Sequence, residues 1–188
     1  MTDVISIWLQ PPSKVKEEIF EFTKDISKKY KVYRDLNSYK GPHITITEIA
    51  GAKQNFENVV ANIKRISADI SPFSLKTNGV GYFMKANKNG TPNFVIYLKV
   101  RKTKPLIELK RRIERIYTNI QISKYGPFVP HITLTHGDLD RKNFYRTLKE
   151  YRNLDFVRAF KVDKLMVSVY ATRTRKATIK RVKLADGT

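Results

Sequence analysis

"PHITIT", residues 42–47, and "PHITLT", residues 130–135, are nearly the same hexamer, placed once in each half of the chain. The chain has only three histidines, and two of them lie in these hexamers. Isoleucine and threonine favour strands, and the side chains of a strand alternate between its two faces. His43, Thr45 and Thr47 are therefore expected to share one face, with the isoleucines between them buried in a core.

The second hexamer repeats this pattern, so His131, Thr133 and Thr135 are also expected on one face. A requirement for strand formation alone would not specify proline, histidine and threonine twice in the same register. We therefore interpret the repeat as an internal duplication, in which two similar strands present imidazole and hydroxyl groups to a shared cleft.

Other helices and strands are predicted from hydrophobic spacing and turn residues. Helices are expected from Ser13, as the cap, to about Lys29, over 56–66, over 103–120, and after a cap at Asp138 or Asp140. Strands are expected at 3–10, where Pro11 and Pro12 end the strand, and at 30–36, 73–84, 93–100, 160–174 and 176–184, in addition to the hexamers.

The predicted helices and strands do not alternate strictly along the chain. This favours an α+β fold with largely antiparallel sheets over a doubly wound parallel fold. The duplication predicts a bilobal architecture, in which each half of the chain forms one helix-backed sheet and two pseudo-symmetric sheets flank a central cleft. No linker or low-complexity segment separates the halves. Residues 1–188 are therefore expected to form a single domain made of two packed lobes.

The charge of the chain indicates a polyanionic partner. Lysine and arginine total 37 against 17 acidic residues, for a formal net charge of +20. RNA or an oligonucleotide is the leading partner, with an anionic membrane surface as the weaker alternative. No apolar run is long enough to span a membrane, and the N-terminus lacks the pattern of a secretory signal. Cysteine is absent, which excludes thiolate metal sites. We expect a cytoplasmic monomer without membrane association.

Two histidines and two threonines that face one cleft suit phosphoryl chemistry without a metal. One imidazole can take a proton from water while the other donates one to the leaving oxygen, and hydroxyl groups can hold the phosphate oxygens. A histidine pair also suits a metal site, but neither hexamer contains a carboxylate or a third histidine. Strict alternation places His136, the third histidine, on the face opposite His131. We therefore expect neither a metal nor a cofactor.

The two His-x-Thr motifs, one in each half of a chain of this length, resemble those of the 2H phosphoesterase superfamily. The most similar branch is the RNA 2',3'-cyclic phosphodiesterases, also called the 2'-5' RNA ligase family. The resemblance implies a hydrolase that opens a terminal 2',3'-cyclic phosphate of RNA to a 2'-phosphate without a metal. It also implies that His43 donates a proton to the 3'-oxygen, that His131 accepts one from water, and that Thr45 and Thr133 bind the phosphate.

The sequence departs from that branch after each motif. The first motif runs on through Glu48 to Gly51 without the usual phenylalanine, and the second is followed by Thr135 and His136 where the branch commonly has a small residue and an arginine. The basic run from Arg173 to Lys183 and the basic residues of helix 103–120 are candidates for contacts with an RNA backbone. The aromatic residues Tyr39, Tyr125 and Phe128, which precede the motif strands, are candidates for stacking on a base.

Two other functions stay open on the sequence alone. The same site can act on a 2'-5' oligonucleotide, on a 3' end that is trimmed, or on a small cyclic nucleotide. The chain can also be a basic RNA-binding module that keeps the fold without turnover.

Overall fold

The computed structural model describes residues 4–50, 55–86, 92–117, 127–171 and 176–185. The helices in these ranges are α1 (Ser13–Tyr30), α2 (Phe56–Ser67), α3 (Lys104–Ile116) and α4 (Arg141–Tyr151). The strands are β1 (Val4–Leu9), β2 (Ile44–Ala50), β3 (Phe73–Ala86), β4 (Pro92–Val100), β5 (His131–His136), β6 (Ala159–Val162), β7 (Lys164–Ala171) and β8 (Lys176–Lys183). None of the helices in the described part of the chain is long and apolar enough to cross a membrane.

The strands form two antiparallel sheets of four strands each, in the orders β2-β1-β7-β8 and β5-β4-β3-β6. The predicted α+β class with two antiparallel sheets is therefore confirmed. The first sheet joins strands from both ends of the chain, whereas the second holds the strands from the middle. The expectation that each half of the chain forms its own sheet is wrong. The reason is that β1, a nearly fully buried strand, needs hydrogen-bonding partners on both edges, and β7 supplies the second one.

The helices also cross between the halves. α1 contacts β5 and α4 contacts β4 in the second sheet, whereas α2 contacts β7 and β8, and α3 contacts β2, in the first. Buried hydrophobic residues from both sheets and all four helices form one connected core. The two motif strands, β2 and β5, contact each other. This exchange of helices and strands places the two hexamers side by side, although they are far apart in sequence.

The segment 30–36, which was expected to be a strand, consists of a helix end followed by turns. α1 continues to Tyr30, and Lys31 ends it in the left-handed conformation, with φ of 55°. The backbone N–H of Asn37 then donates to the carbonyl oxygen of Tyr33 and closes a turn. Val32 is the only residue of the segment that is buried. The apolar residues of this segment therefore do not form the continuous buried face that a strand requires.

The segment 160–174 was expected to be one strand, but it contains two. β6 pairs with β3 in the second sheet, and β7 pairs with β1 and β8 in the first, so the chain passes from one sheet to the other at Asp163. The helix expected over 103–120 ends at Ile116, and residues 118–120 lie outside the described ranges.

Of the two expected helix caps, the one on α4 is present and the one on α1 is not. Ser13 is the first helical residue of α1 and Pro12 precedes it, so the expected serine cap is wrong. Asp140 caps α4 as predicted, because its side chain accepts a hydrogen bond of 2.7 Å from the backbone N–H of Asn143.

Candidate active site

A β-bulge interrupts β2 inside the first hexamer. Thr45 pairs with Trp8 and Thr47 pairs with the adjacent Ile7, so Ile46 is an extra residue on β2. The bulge breaks the alternation of side chains, and Thr47 is fully buried together with Ile46. The hydroxyl of Thr47 has no hydrogen-bond partner among the described residues.

The second hexamer has a bulge at the equivalent position of β5. Thr133 pairs with Tyr97 and Thr135 pairs with the adjacent Ile96, so Leu134 is the extra residue. Thr135 is 2% exposed, and its hydroxyl accepts a hydrogen bond of 3.3 Å from the backbone N–H of Ile96. The expectation that the last threonine of each hexamer faces the cleft is therefore wrong, because it assumed uninterrupted alternation.

The bulge in β5 also changes the orientation of His136. His136 pairs with Val95, which lies two residues from Tyr97, the partner of Thr133, so His136 and Thr133 share a face. The expected position of His136 opposite His131 is therefore wrong. Within the described ranges, no three histidine, aspartate or glutamate side chains converge closely enough to hold a metal ion.

His43 and His131 are held by the same backbone contact. Nδ1 of His43 lies 2.7 Å from the carbonyl oxygen of Gly41, and Nδ1 of His131 lies 2.7 Å from the carbonyl oxygen of Val129. A carbonyl oxygen only accepts hydrogen bonds, so each Nδ1 carries a proton and donates it. In the neutral form of each ring, Nε2 is therefore the nitrogen that carries no proton. The two copies of the motif therefore share the same contact with the carbonyl group two residues before the histidine.

An aromatic ring from the neighbouring strand contacts His43. Trp8, the partner of Thr45, meets the imidazole edge-on, with ring centroids 5.5 Å apart. Its Nε1–H donates a hydrogen bond of 3.1 Å to Oγ of Ser168 on β7. Trp8 is buried and is fixed by its strand pairing and by this hydrogen bond. It therefore limits the orientations that the His43 ring can adopt.

Tyr97 occupies the equivalent position in the second sheet, where it pairs with Thr133. Its ring centroid lies 4.9 Å from that of His131, and Phe83 on β3 meets the same imidazole edge-on at 5.1 Å. Gly81 makes room for the tyrosine, because a Cβ at this position would lie 2.5 Å from Cε2 of Tyr97. The sequence pattern, which predicts a strand over 73–84, did not reveal this close contact.

The surroundings of His43 disfavour its charged form. Burial, as the largest cause, and then the ammonium group of Lys40 lower the pKa of His43 from 6.5 to about 3, against a smaller opposing effect of the Gly41 carbonyl. The charges of His131 and His136 act in the same direction as Lys40. The ring is half-buried by surface area, but protein atoms surround it closely enough for desolvation to dominate. His43 is therefore neutral at pH 7 in the protein alone.

Tyr39, a predicted substrate contact, lies beside this group. Its ring stacks on Tyr170 with centroids 5.7 Å apart, and its hydroxyl lies 3.3 Å from the same Ser168 Oγ that Trp8 contacts. Burial, as the largest cause, raises the pKa of Tyr39. The side chain is still 42% exposed, so its role as a substrate contact stays a prediction.

The other aromatic candidates lie elsewhere. Tyr125 falls outside the described residues. Phe128 packs against the hydrophobic core, and Nζ of Lys110 on α3 lies 5.0 Å from the centre of its ring. The structure therefore places Phe128 against α3, and its contact with a substrate stays a prediction.

Three of the five basic residues of α3 form ion pairs with the two acidic residues of the same helix. Arg111 and Arg112 contact Glu108 at 2.7 and 3.0 Å, and Lys110 contacts Glu114. This pattern is that of a solvated helix face stabilised by ion pairs three and four residues apart.

Arg34 brings a positive charge to the end of the second motif. Nη1 of its guanidinium lies 3.4 Å from the carbonyl oxygen of His136, and its backbone N–H donates to Asp138 at 3.1 Å. β8, which carries the described part of the C-terminal basic run, lies at the outer edge of the first sheet, and β7 and β1 separate it from β2. Sequence reasoning missed Arg34 because it placed this residue in a strand.

A separate basic groove of about 760 Å³ lies between the end of α1 and α4. Its lining residues are Lys29, Tyr30, Lys31, Asn143, Arg146, Lys149 and Glu150. Glu150 accepts hydrogen bonds from Lys29 at 2.6 Å and from the Tyr30 hydroxyl at 3.1 Å. None of the lining residues belongs to the motifs, so this groove is distinct from the candidate active site.

The 2'-5' RNA ligase superfamily matches residues 11–174 of the chain. The chain belongs to this superfamily. The protein TT0787 of Thermus thermophilus has a similar structure, with a TM-score of 0.66, 16% identity and full coverage of both chains. E. coli LigT in complex with phosphate gives a TM-score of 0.63 at 14% identity, covering 98% of this chain and 99% of LigT.

Kluyveromyces marxianus Usb1 gives a TM-score of 0.51 at 13% identity, covering 96% of this chain and 98% of Usb1. At these identities, the structural similarities show a shared fold only. No curated protein sequence matches the chain significantly. The resemblance to the 2H phosphoesterases is confirmed by membership of the 2'-5' RNA ligase superfamily, which assigns the chain to the phosphoesterases.

Proposed function

We propose that this member of the 2'-5' RNA ligase superfamily is a metal-independent phosphodiesterase that hydrolyses a 2',3'-cyclic phosphate end of RNA to a 2'-phosphate. The main support is the matched anchoring of His43 and His131. His43 immediately precedes β2 and His131 is the first residue of β5, and these two strands contact each other. In the neutral form of each ring, the same nitrogen, Nε2, carries no proton. Displacement at phosphorus needs an acid and a base on opposite sides of one phosphate, and two equivalent imidazoles suit these roles.

The proposed reaction assigns one role to each motif residue. His131 takes a proton from water as the water oxygen attacks phosphorus. The bond between phosphorus and the 3'-oxygen breaks, and His43 gives its Nε2 proton to that oxygen. The hydroxyls of Thr45 and Thr133, which are half-buried on the same faces as the histidines, donate hydrogen bonds to the non-bridging phosphate oxygens. The product carries the phosphate on the 2'-oxygen.

The donor role requires His43 to be protonated in the substrate complex, although it is neutral in the protein alone. A negatively charged phosphate beside the ring opposes the effects of burial and of Lys40, so it raises the pKa of His43 on binding. His43 therefore takes up its proton together with the substrate. The net charge of +20 supports a polyanionic substrate such as RNA.

The proposal is tested by product analysis with a short RNA that ends in a 2',3'-cyclic phosphate. The expected product is the 2'-phosphate, and EDTA is expected to leave the rate unchanged. A 3'-phosphate product or loss of activity on chelation would contradict the proposed mechanism. A parallel panel of 2'-5' dinucleotides, unmodified RNA 3' ends and small cyclic nucleotides distinguishes the alternative substrates. Binding without turnover across the panel would instead identify an RNA-binding module.

A further inference from the structure

Lys40 is a half-buried cation in the loop that leads into the first motif. Its Nζ donates a hydrogen bond of 2.7 Å to Oγ of Ser6 on β1. Its backbone is also fixed, because Nε2 of Gln10 donates to its carbonyl oxygen at 3.1 Å. Lys40 is therefore held in place by β1 at its side chain and by Gln10 at its backbone, unlike a flexible surface lysine.

The ammonium group lacks a close negative partner. Among the described residues, no carboxylate oxygen lies within 4 Å of Nζ of Lys40. Burial, as the largest cause, lowers the pKa of Lys40, and the more distant Glu48 on β2 opposes this effect. Burial of a charge without a close counter-ion costs free energy. An anion that binds beside the Lys40 ammonium offsets part of this cost.

The strand pairing places this cation on the face of the first sheet that carries Thr45. Ser6, which holds the ammonium, lies two residues from Trp8, the partner of Thr45, and Ser6 itself pairs with Glu48. The charge of Lys40 also acts on His43, as the second-largest cause of its altered titration. The other charged or titratable groups that act on His43 or Lys40 are His131 and His136 on β5, Glu48 on β2, and Tyr39, whose ring centre lies 5.7 Å from Nζ of Lys40.

We propose that Lys40 is a substrate-binding residue that pairs with a phosphate oxygen and holds the negative charge of the phosphate beside His43. The identity of the substrate rests on the proposed function, whereas the anion site rests on the contacts of Lys40 itself. The phosphate is either the terminal one or the neighbouring internucleotide phosphate of the same RNA. When the phosphate pairs with Lys40, its negative charge offsets the positive charge that opposes protonation of His43. Substrate binding and protonation of His43 are therefore coupled.

The test measures binding of two probes, a nucleoside 2'-phosphate and a dinucleotide that ends in a 2'-phosphate, by calorimetry. Lys40→Met keeps the length of the side chain and removes the charge, and Lys40→Gln is a second variant if the first fails to fold. Lys64→Met, at an exposed position of α2, is the matched control. We expect the Lys40 variants to bind about 10- to 100-fold more weakly, as for the loss of a charge-assisted hydrogen bond, and the control to bind like the wild type.

The pattern of losses identifies the phosphate. Weaker binding of both probes indicates the terminal phosphate, and weaker binding of the dinucleotide alone indicates the internucleotide phosphate. Unchanged binding of both probes by a folded Lys40 variant overturns the proposal. A second readout is the NMR titration of His43 in the protein alone, where the pKa of His43 is expected to rise in Lys40→Met and to stay constant in Lys64→Met.

The anion site and the proposed function can fail separately. If the wild type does not hydrolyse the cyclic phosphate but binds the probes through Lys40, the site stands and the function is wrong. If hydrolysis proceeds and the Lys40 variants bind like the wild type, the function stands and the site is wrong.

Discussion

At the scale of single residues, the two motif histidines combine identical anchors with different neighbours. Both rings donate from Nδ1 to the carbonyl two residues earlier. His43 then meets Trp8 and the charge of Lys40, whereas His131 meets Tyr97 and Phe83. A duplicated motif in unequal surroundings can therefore provide an acid and a base, because the neighbours set the proton affinity of each ring.

Replacement of Gly81 tests whether the Tyr97 ring positions His131. In Gly81→Ala, the new Cβ would lie 2.5 Å from Cε2 of Tyr97, so the ring must move. We expect kcat to fall by about 10- to 100-fold, because a small displacement of a catalytic group strongly affects the rate. Gly79→Ala is the control, because its φ of 71° makes alanine strained while the nearest atom beyond its chain neighbours is 4.0 Å from the new Cβ. It should lower stability by about 1–2 kcal/mol and leave kcat nearly unchanged. Equal effects of both variants on kcat would contradict a specific role for the Tyr97 contact.

At the scale of elements, the paired bulges explain why each hexamer leaves one threonine on the face of its histidine and not two. The residues before the bulge, such as Thr45 and Thr133, stay half-buried beside the histidines. Those after it, Thr47 and Thr135, are buried in the core. Bulges commonly change the direction of side chains next to active sites, and here the second bulge also brings His136 to the face of Thr133.

The two buried threonines make a matched pair for a stability measurement. Thr47→Val removes a buried hydroxyl that has no partner among the described residues, so we expect the free energy of unfolding to rise by about 1 kcal/mol. Thr135→Val removes the acceptor for the Ile96 N–H, so we expect the free energy of unfolding to fall by about 1 kcal/mol. Urea denaturation of both variants measures the two values. Destabilisation of similar size in both would show that the Thr47 hydroxyl has a partner.

The loop after α1 contains a carboxyl group with an unusual proton affinity. Burial, then repulsion from Asp138, raise the pKa of Asp35 from 3.8 to about 6, against the opposing effects of Arg34 and the backbone N–H of His136. The folded state therefore binds this proton more tightly than the unfolded state. The resulting stabilisation is complete below about pH 4 and is lost as the pH rises through 6.

Substitution of Asp35 by asparagine should remove this pH dependence. At pH 7, we expect Asp35→Asn to raise the free energy of unfolding by about 1–2 kcal/mol, and at pH 4 to change it little. Urea denaturation at both pH values measures the difference, with the exposed Asp155→Asn as the control. A gain that is the same at pH 4 and pH 7 would contradict the proposed titration of Asp35.

Sequence patterns predicted the parts of the site that depend on local alternation. The side-chain period of a strand suffices to place His43 and Thr45 opposite Ile44, and the structure agrees. The bulges were not predictable in this way, because a bulge is defined by pairing with a second strand. The contacts of Trp8 and Lys40 were missed because they also join residues that are far apart in sequence. Arg34 was missed because its segment was expected to be a strand. Sheet membership also depends on long-range pairing, so the split of 160–174 at Asp163 did not appear in the hydrophobic pattern.

At the scale of the whole molecule, the first sheet joins both ends of the chain, and the motif strands of the two sheets contact each other. The site therefore depends on pairings that are remote in sequence. The surplus of basic residues is spread over the molecule, with part of it paired on α3 and part in the groove between α1 and α4. Such a distribution favours general attraction of RNA over recognition of a sequence.

The net charge of +20 predicts a dependence on salt that grows with substrate length. Between about 50 and 200 mM salt, we expect KM for an RNA of several nucleotides to rise about tenfold, as for a few neutralised phosphates, while KM for a mononucleoside cyclic phosphate changes by less than about threefold. Steady-state kinetics with both substrates measures the two slopes. Equal slopes would contradict contacts between the basic surface and RNA beyond the terminal nucleotide.

If His43 and His131 act as a pair on one phosphate, hydrolysis of an RNA 2',3'-cyclic phosphate must depend on both imidazoles, and three histidine variants measure this dependence. His43→Ala and His131→Ala are each expected to lower kcat by at least about 100-fold while circular dichroism and the melting temperature stay close to those of the wild type. His136→Ala, which removes the third imidazole, should lower kcat by less than about tenfold. Near-normal hydrolysis by a folded His43→Ala or His131→Ala protein would contradict the paired action of the two histidines.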